Sequence, residues 1–519
     1  MESVNKDSVN LENVNTENVN LESVNKDSVN LESMNKDSVN LENVNPESVY
    51  IENVDKCNRC GNCQYYCPTF AASRRETHVA RGRLQLIKKT LENKVNGGGG
   101  DDDSGGGGGN NGGGGGNSGD GDGDSGFKGV FNDSNDVNNV EMNLTGETKA
   151  VYSDSFIKRI NQCLLCGNCS QNCPAGICTE EIVENIRKII VERTGPSQQM
   201  GLTARNISNE GNITGDNREN RLLWLDNMES GSVRVLRLDN IESRSERLLR
   251  PGNMEAGLAR QLQPGNMIAG SVSRVGETAE YIYFAGCVPT LYPSSYSIPQ
   301  TFSKLLNKAG LDWAILGKRE NCCSYPLMIG GMAEAASAAI VRNTREIAEA
   351  GAKCLVTTCP SCYHMWKEIY PKTVANMPDI KILHSAQLLA ELAKAGAFRF
   401  KETRCTVTYH DPCDLGRKSG IYDEPRQIIN SIPGVRLNEM RFSRKNAFCC
   451  GGGGNLEMND TQLSGKVARL RVEQAIGVGA EIIVTSCQQC KRTLAGGARQ
   501  IRSKIKIMDL SEFILHALE

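Results

Sequence analysis

Cysteine occurs in this chain at two sets of spacings, and each set is written twice. Cys57-x2-Cys60-x2-Cys63-x3-Cys67-Pro68 recurs as Cys163-x2-Cys166-x2-Cys169-x3-Cys173-Pro174. Further on, Cys287, Cys322, Cys323, Cys359 and Cys362 recur as Cys413, Cys449, Cys450, Cys487 and Cys490. Together these take up 18 of the 21 cysteines, and the odd total argues against a closed disulfide framework. No stretch combines a charged start, a short apolar run and a small-residue cleavage site, and none reaches the ~18 apolar residues of a membrane span. The chain therefore reads as cytoplasmic, in a reducing compartment where such thiols are metal ligands.

The first spacing wraps three thiolates around one face of a cubane, and its x3-Cys-Pro turn leads the fourth away to a neighbouring cluster. On that logic Cys57, Cys60, Cys63 and Cys173 hold one [4Fe-4S] cluster, and Cys163, Cys166, Cys169 and Cys67 hold a second. Zinc would need only two CxxC pairs and would leave the third and fourth cysteines of each run unexplained. The second spacing supplies five thiolates per copy, more than one tetrahedral zinc or one cubane requires. Adjacent cysteines do not easily serve one metal as terminal ligands, whereas bridging between irons relieves that constraint. After Cys450 the run Gly451–Gly454 removes every Cβ from the approach.

Much of the remaining length cannot build a core. Residues 1–55 consist almost entirely of a five-residue acidic repeat and carry net −9; residues 97–126 are 18 Gly and six Asp with few other residues, net −6. Residues 196–275 contain a thirteen-residue repeat beginning at Arg221, Arg234, Arg247 and Arg260, interrupted by Gly and Pro. The domain reading is a disordered tail over 1–55 and a two-cluster ferredoxin-type module over 56–195 with a Gly/Asp-rich insertion at 96–150. A low-complexity insertion without a catalytic role follows at 196–275. Without the first two segments the overall −2 becomes +13, which suits anionic cofactors and an anionic substrate. Nucleic acid is not expected as a partner, because no basic stripe with interleaved aromatics and no helix-turn-helix pattern is present.

From residue 276 the chain repeats itself, each cysteine of the second set recurring 126 to 128 positions later. Strands are expected at 281–285, 355–358, 406–410 and 482–486, each delivering cysteines at its end, with Ala-rich helices over 333–352 and 463–480. The expected fold is α+β to α/β: a small helical two-cluster module followed by two duplicated α/β lobes, 276–400 and 401–519, with chemistry on the loops after the strands. Cys354 and Cys405 sit in apolar, strand-like contexts and read as inert buried thiols. Cys178 has no assignment.

The pattern C-x(31–39)-CC-x(35–36)-C-x2-C, with Tyr409-His410-Asp411-Pro412-Cys413 and Cys449-Cys450-Gly451-Gly452-Gly453 in the second copy, resembles the CCG domain family. A two-cluster ferredoxin module ahead of two such lobes is similar to the catalytic subunits of cytochrome-linked heterodisulfide reductases of methanogenic archaea. The resemblance implies two non-cubane [4Fe-4S] clusters. Cys287, Cys322, Cys323, Cys359 and Cys362 would hold one, and Cys413, Cys449, Cys450, Cys487 and Cys490 the catalytic other. It also implies reductive cleavage of the coenzyme M–coenzyme B disulfide in methanogenesis energy metabolism. In the first copy Ser324 stands where glycine is usual, which puts its close packing in question.

No Gly-x-Gly-x-x-Gly run opens a helix after a strand, so electrons are expected from a partner protein, a membrane b-type cytochrome or a flavoprotein. Such a partner would place the chain peripherally on the inner membrane face. Arg417, Lys418 and Arg426 are candidate contacts for the anionic disulfide, and His410 a candidate proton donor to a leaving thiolate. The alternative function is the electron-transferring iron–sulfur subunit of a glycolate, lactate or glycerol-3-phosphate dehydrogenase complex. Because residues 2–50 hold no ligand, their deletion is expected to leave iron content and the ferredoxin-type signals unchanged. Loss of those signals from the truncated protein would show the tail to be structural.

Overall fold

The computed structural model describes residues 54–95, 152–236 and 278–519. The pentapeptide tail up to residue 53, the Gly/Asp insertion and the repeats at 237–277 lie outside the described residues.

The dicluster module is helical. Gly61 and Gly167, at φ 86° and 69°, precede the short helices Asn62–Tyr66 and Asn168–Gln171, so each cysteine run bends sharply between its second and third thiol. The helix Thr179–Thr194 turns Ile182, Val183, Ile186, Ile189 and Ile190 inward, and Leu84, Ile87, Phe156 and Ile160 close the core against it.

Each lobe is a four-stranded parallel sheet. In the first, β1 (Tyr281–Phe284), β2 (Trp313–Ala314), β3 (Cys354–Thr357) and β4 (Lys381–His384) lie in the order β2-β1-β3-β4. In the second, β5 (Cys405–His410), β6 (Val435–Leu437), β7 (Ile482–Thr485) and β8 (Lys506–Asp509) lie in the order β6-β5-β7-β8. Every pairing is parallel, with Tyr281 opposite Cys354 and Val407 opposite Ile482. The chain leaves β1 in one direction and returns at β3 in the other, so the switch point lies between β1 and β3, and likewise between β5 and β7. Open α/β sheets place their ligands at the carboxyl ends of strands at such a point.

The expected helices form over Ala333–Ala350 and Thr461–Gly477. Tyr283, Val356 and Leu389 share one core with Tyr409, Val484 and Phe513, and the helix Ser297–Lys308 packs on Leu510–Ala517, so neither sheet is buried without the other lobe. The duplication extends to buried polar pairs. Tyr283 Oη bonds Thr358 Oγ1, and Tyr409 Oη bonds Ser486 Oγ, each at 3.0 Å.

The structure departs from the expected low-complexity insertion over residues 198–236. Gln198–Glu210 is a helix, Arg218–Leu225 a 3-10 helix, and Val235 bridges to Ile315 beside β2. Trp224 is 1% exposed within the core shared by the lobes, and Arg221 is 2% exposed. The repeat consensus hides this, because its first copy holds the one tryptophan that anchors the segment.

Candidate metal centres

In the dicluster module Cys57, Cys60, Cys63 and Cys173 line one recess, and Cys67, Cys163 and Cys166 line a second, with Cys169 touching both. Each recess thus takes a cysteine from the other run. Burial pushes the Cys63 thiol up to about 11 and Cys166 to about 12. Those sulfurs become thiolates only opposite a cation, and all-thiolate sets of this kind suit iron–sulfur clusters.

In both lobes the five cysteines converge at the switch point. Cys287 opens the helix Cys287–Leu291 shortly after β1, and Cys413 opens Cys413–Gly416 after β5. Cys359 and Cys487 cap the helices that follow β3 and β7, each sulfur accepting from the backbone N–H of Cys362 or Cys490 at 3.4 Å. Side-chain hydrogen bonds run through the first set in the order Cys287, Cys322, Cys323, Cys362, Cys359, and through the second in the order Cys413, Cys449, Cys450, Cys490, Cys487. The central member receives a thiol proton from either side, so hydrogen bonds from Cys322 and Cys362 lower Cys323 to about 6. Those from Cys449 and Cys490 do the same for Cys450.

Close backbone approach is also built in. A Cβ on Gly286 would lie 3.3 Å from Cys362 Sγ, and one on Gly453 3.4 Å from Cys449 Sγ and 2.8 Å from the Leu164 carbonyl oxygen. Ser324, in place of the usual glycine, holds a left-handed φ of 67° and is fully buried. The strain is on the order of 1–2 kcal/mol. The chain of five sulfurs in that lobe nonetheless stays intact.

The two lobes meet through their cysteine turns. Ser361, inside the first CxxC, donates to Asp414, next to Cys413, at 2.7 Å, and Tyr325 donates to the same carboxylate at 2.9 Å. Gln488, inside the second CxxC, lies 3.8 Å from a Cβ position on Gly286 and is 1% exposed. Among the described residues neither its amide nitrogen nor its oxygen has a hydrogen-bond partner. The dicluster module docks on the second lobe, where a Cβ on Gly454 would collide with the Cys163 carbonyl oxygen. Arg187, buried among the isoleucines of its helix, donates to the carbonyls of Cys163 at 2.8 Å, Ile329 at 2.9 Å and Gly454 at 3.0 Å, tying all three units together.

The candidate anion contacts are spent inside the protein. Arg426 pairs with Asp411 at 2.7 Å and with Glu439 at 2.5 Å, and Lys418 faces Asp414 at 3.5 Å and Tyr325 at 3.0 Å. Arg417 donates to the carbonyls of Cys166 and, at 2.8 Å, of Ala447. It joins the dicluster module to the second lobe rather than reaching outward. A ring nitrogen of His410 lies within 4.8 Å of the Cys450 and Cys490 sulfurs. Its Nδ1 accepts from Arg471 Nε at 3.1 Å, and burial, aided by Arg471, drives it well below the ordinary histidine range. With Nδ1 accepting, the imidazole is neutral with its proton on Nε2, and it is not an imidazolium acid. Sequence reasoning missed Arg187, Arg221 and Arg471. Their only signal was an arginine in an otherwise apolar or repetitive context.

Two family models match the chain: a 4Fe-4S dicluster domain over residues 53–177 and a cysteine-rich domain, CCG, over 281–367 and 407–495. The chain is 26% identical over 469 residues to a component of the dihydromethanophenazine:CoB–CoM heterodisulfide reductase of Methanosarcina barkeri, covering 89% of this chain and 94% of that one. It is 28% identical over 366 residues to the "Probable iron-sulfur-binding oxidoreductase FadF" of Bacillus subtilis, covering 69% and 46%. Over 194 residues it is 27% identical to a component of the CoM/CoB fumarate reductase of Methanothermobacter marburgensis, covering 37% and 38%. No helix among the described residues is long and apolar enough to cross a membrane. The chain is an iron–sulfur oxidoreductase that joins a 4Fe-4S dicluster domain to two cysteine-rich CCG domains and is related, over most of its length, to the Methanosarcina heterodisulfide reductase component.

Proposed function

We propose that the chain accepts electrons from a partner protein, passes them through two cubane [4Fe-4S] clusters to one further [4Fe-4S] cluster in each lobe, and reduces a disulfide between the lobes. Cys57, Cys60, Cys63 and Cys173 would hold one cubane and Cys67, Cys163, Cys166 and Cys169 the other; each lobe's five cysteines would hold its own cluster. When bound, the clusters supply one-electron storage and iron sites for sulfur. The observation that carries this reading is the facing of two five-sulfur centres across Ser361–Asp414 and Gln488–Gly286, with the dicluster module packed on the second lobe.

Cleaving RSSR to two thiols takes two electrons and two protons, and two facing centres suit a substrate that yields two sulfur products. Gln488 would offer a donor and an acceptor to the bound molecule, and His410 Nε2–H would steady the sulfur at Cys450. The disulfide of coenzyme M and coenzyme B is the substrate suggested by the Methanosarcina relative.

An electron conduit, with the chemistry on a flavoprotein partner, is the second reading, favoured by the likeness to the Bacillus protein. Oxidation of reduced viologen by purified protein, with and without the coenzyme M–coenzyme B disulfide, separates the two. Disulfide-dependent oxidation by the chain alone is the expected result; its absence from a fully loaded protein favours the conduit. Anaerobically purified protein is expected to carry about 16 iron atoms, matched by acid-labile sulfide. About four irons with stoichiometric zinc would overturn the assignment.

A further inference from the structure

We propose that Arg221 is a positioning residue for the first-lobe cluster: its guanidinium donates to the Cys287 sulfur, fixes its position and raises the reduction potential of the bound cluster. Arg221 Nη2 lies 3.2 Å from Cys287 Sγ and 2.9 Å from the Gly211 carbonyl oxygen. Nη1 pairs with Glu320 at 3.1 Å. That carboxylate is in turn fixed by the backbone N–H groups of Ala285 and Gly286 at 2.9 and 2.8 Å, in the turn that delivers Cys287. The fork is therefore aimed from both ends.

The rest of its segment closes on the same centre: the Ile213 backbone N–H donates to Cys287, and Gly211 accepts from the backbone of Cys322 at 2.6 Å. The guanidinium is fully buried, with the Cys287 sulfur and the Glu320 carboxylate on its two terminal nitrogens. Hydrogen bonds to ligand sulfur favour the more negative, reduced cluster and so raise its potential. The second lobe is covered differently. There the hydrogen bonds described for Arg417 go to carbonyl oxygens of the dicluster module and the neighbouring loop.

The proposal rests on the reading that the first lobe holds a cluster, and the test separates the two. A Cys450→Ala background removes a ligand of the second lobe, leaving the first-lobe signal apart from the cubanes. In that background an Arg221→Gln/Glu320→Gln pair, which strands no buried charge, is compared with Arg221→Lys by iron analysis and EPR-monitored redox titration of the full chain. The neutral pair is expected to shift the first-lobe midpoint to more negative potential, or to lose that cluster alone, while Arg221→Lys keeps the cluster with a smaller shift. An unchanged midpoint in the fully loaded neutral pair would overturn the role of Arg221, as would loss of the cluster in both variants. A parent protein without any first-lobe signal would instead overturn the four-cluster reading.

Discussion

Cys450→Ala is expected to lose disulfide-dependent viologen oxidation by more than about 100-fold while both cubanes remain reducible. Cys450 is the middle sulfur of its set, accepting thiol protons from Cys449 and Cys490, and it is the one in that lobe lowered to about 6. It is the most thiolate-like of the five and is flanked by two other ligands, so alanine there opens the set at its centre. The eight cysteines proposed to hold the cubanes all lie before residue 174, and among the described residues their recesses are lined by the dicluster module. Iron should fall from about 16 to about 12 atoms per chain. Cys354→Ala is the control: that thiol lies in β3 within the shared core and outside both sulfur sets, so it should cost about 1 kcal/mol of stability and no activity. Full disulfide reduction by Cys450→Ala would remove the second lobe from the chemistry.

The parts of this architecture that were legible in the sequence are those governed by spacing. The displacement of 126 to 128 residues between the two cysteine sets implied a duplicated α/β unit, and the sheets repeat strand for strand. Crosswise placement of Cys67 and Cys173 follows from the x3-Cys-Pro turn, and the structure puts each in the other run's recess. What the sequence concealed depends on contacts between distant segments. Nothing near Arg221 marks it as the partner of Cys287, 66 residues on, because its neighbours belong to a tandem repeat whose other copies share the arginine. Arg426 looked free beside Cys413, but its partner Glu439 comes from the loop after β6. His410 looked like an acid until burial and Arg471 made it neutral.

Gly454→Val is expected to uncouple the dicluster module from the second lobe without removing any ligand. Gly454 has a φ of 59°, where a β-branched side chain is strained, and its Cβ would run into the Cys163 carbonyl oxygen and the Leu164 backbone. Both costs fall on one contact, and together they amount to roughly 2–5 kcal/mol. The chain can meet that cost by moving the Cys163–Leu164 loop off the turn that follows Cys450, which lengthens the path between the second cubane and the second-lobe centre. Arg187 resists the movement, since it bonds the carbonyls of Cys163 and Gly454 at once, so the variant should also melt at lower temperature. Stopped-flow mixing of the pre-reduced protein with disulfide is the measurement. Cubane reduction by dithionite should be unchanged, and cubane reoxidation by substrate should slow. Gly477→Ala, at a helix end with nothing near the added methyl, should alter neither. If Gly454→Val reoxidises its cubanes as fast as the parent, electrons do not enter the lobes through this contact, and the first lobe becomes the candidate point of entry by way of Ile329 and the same arginine.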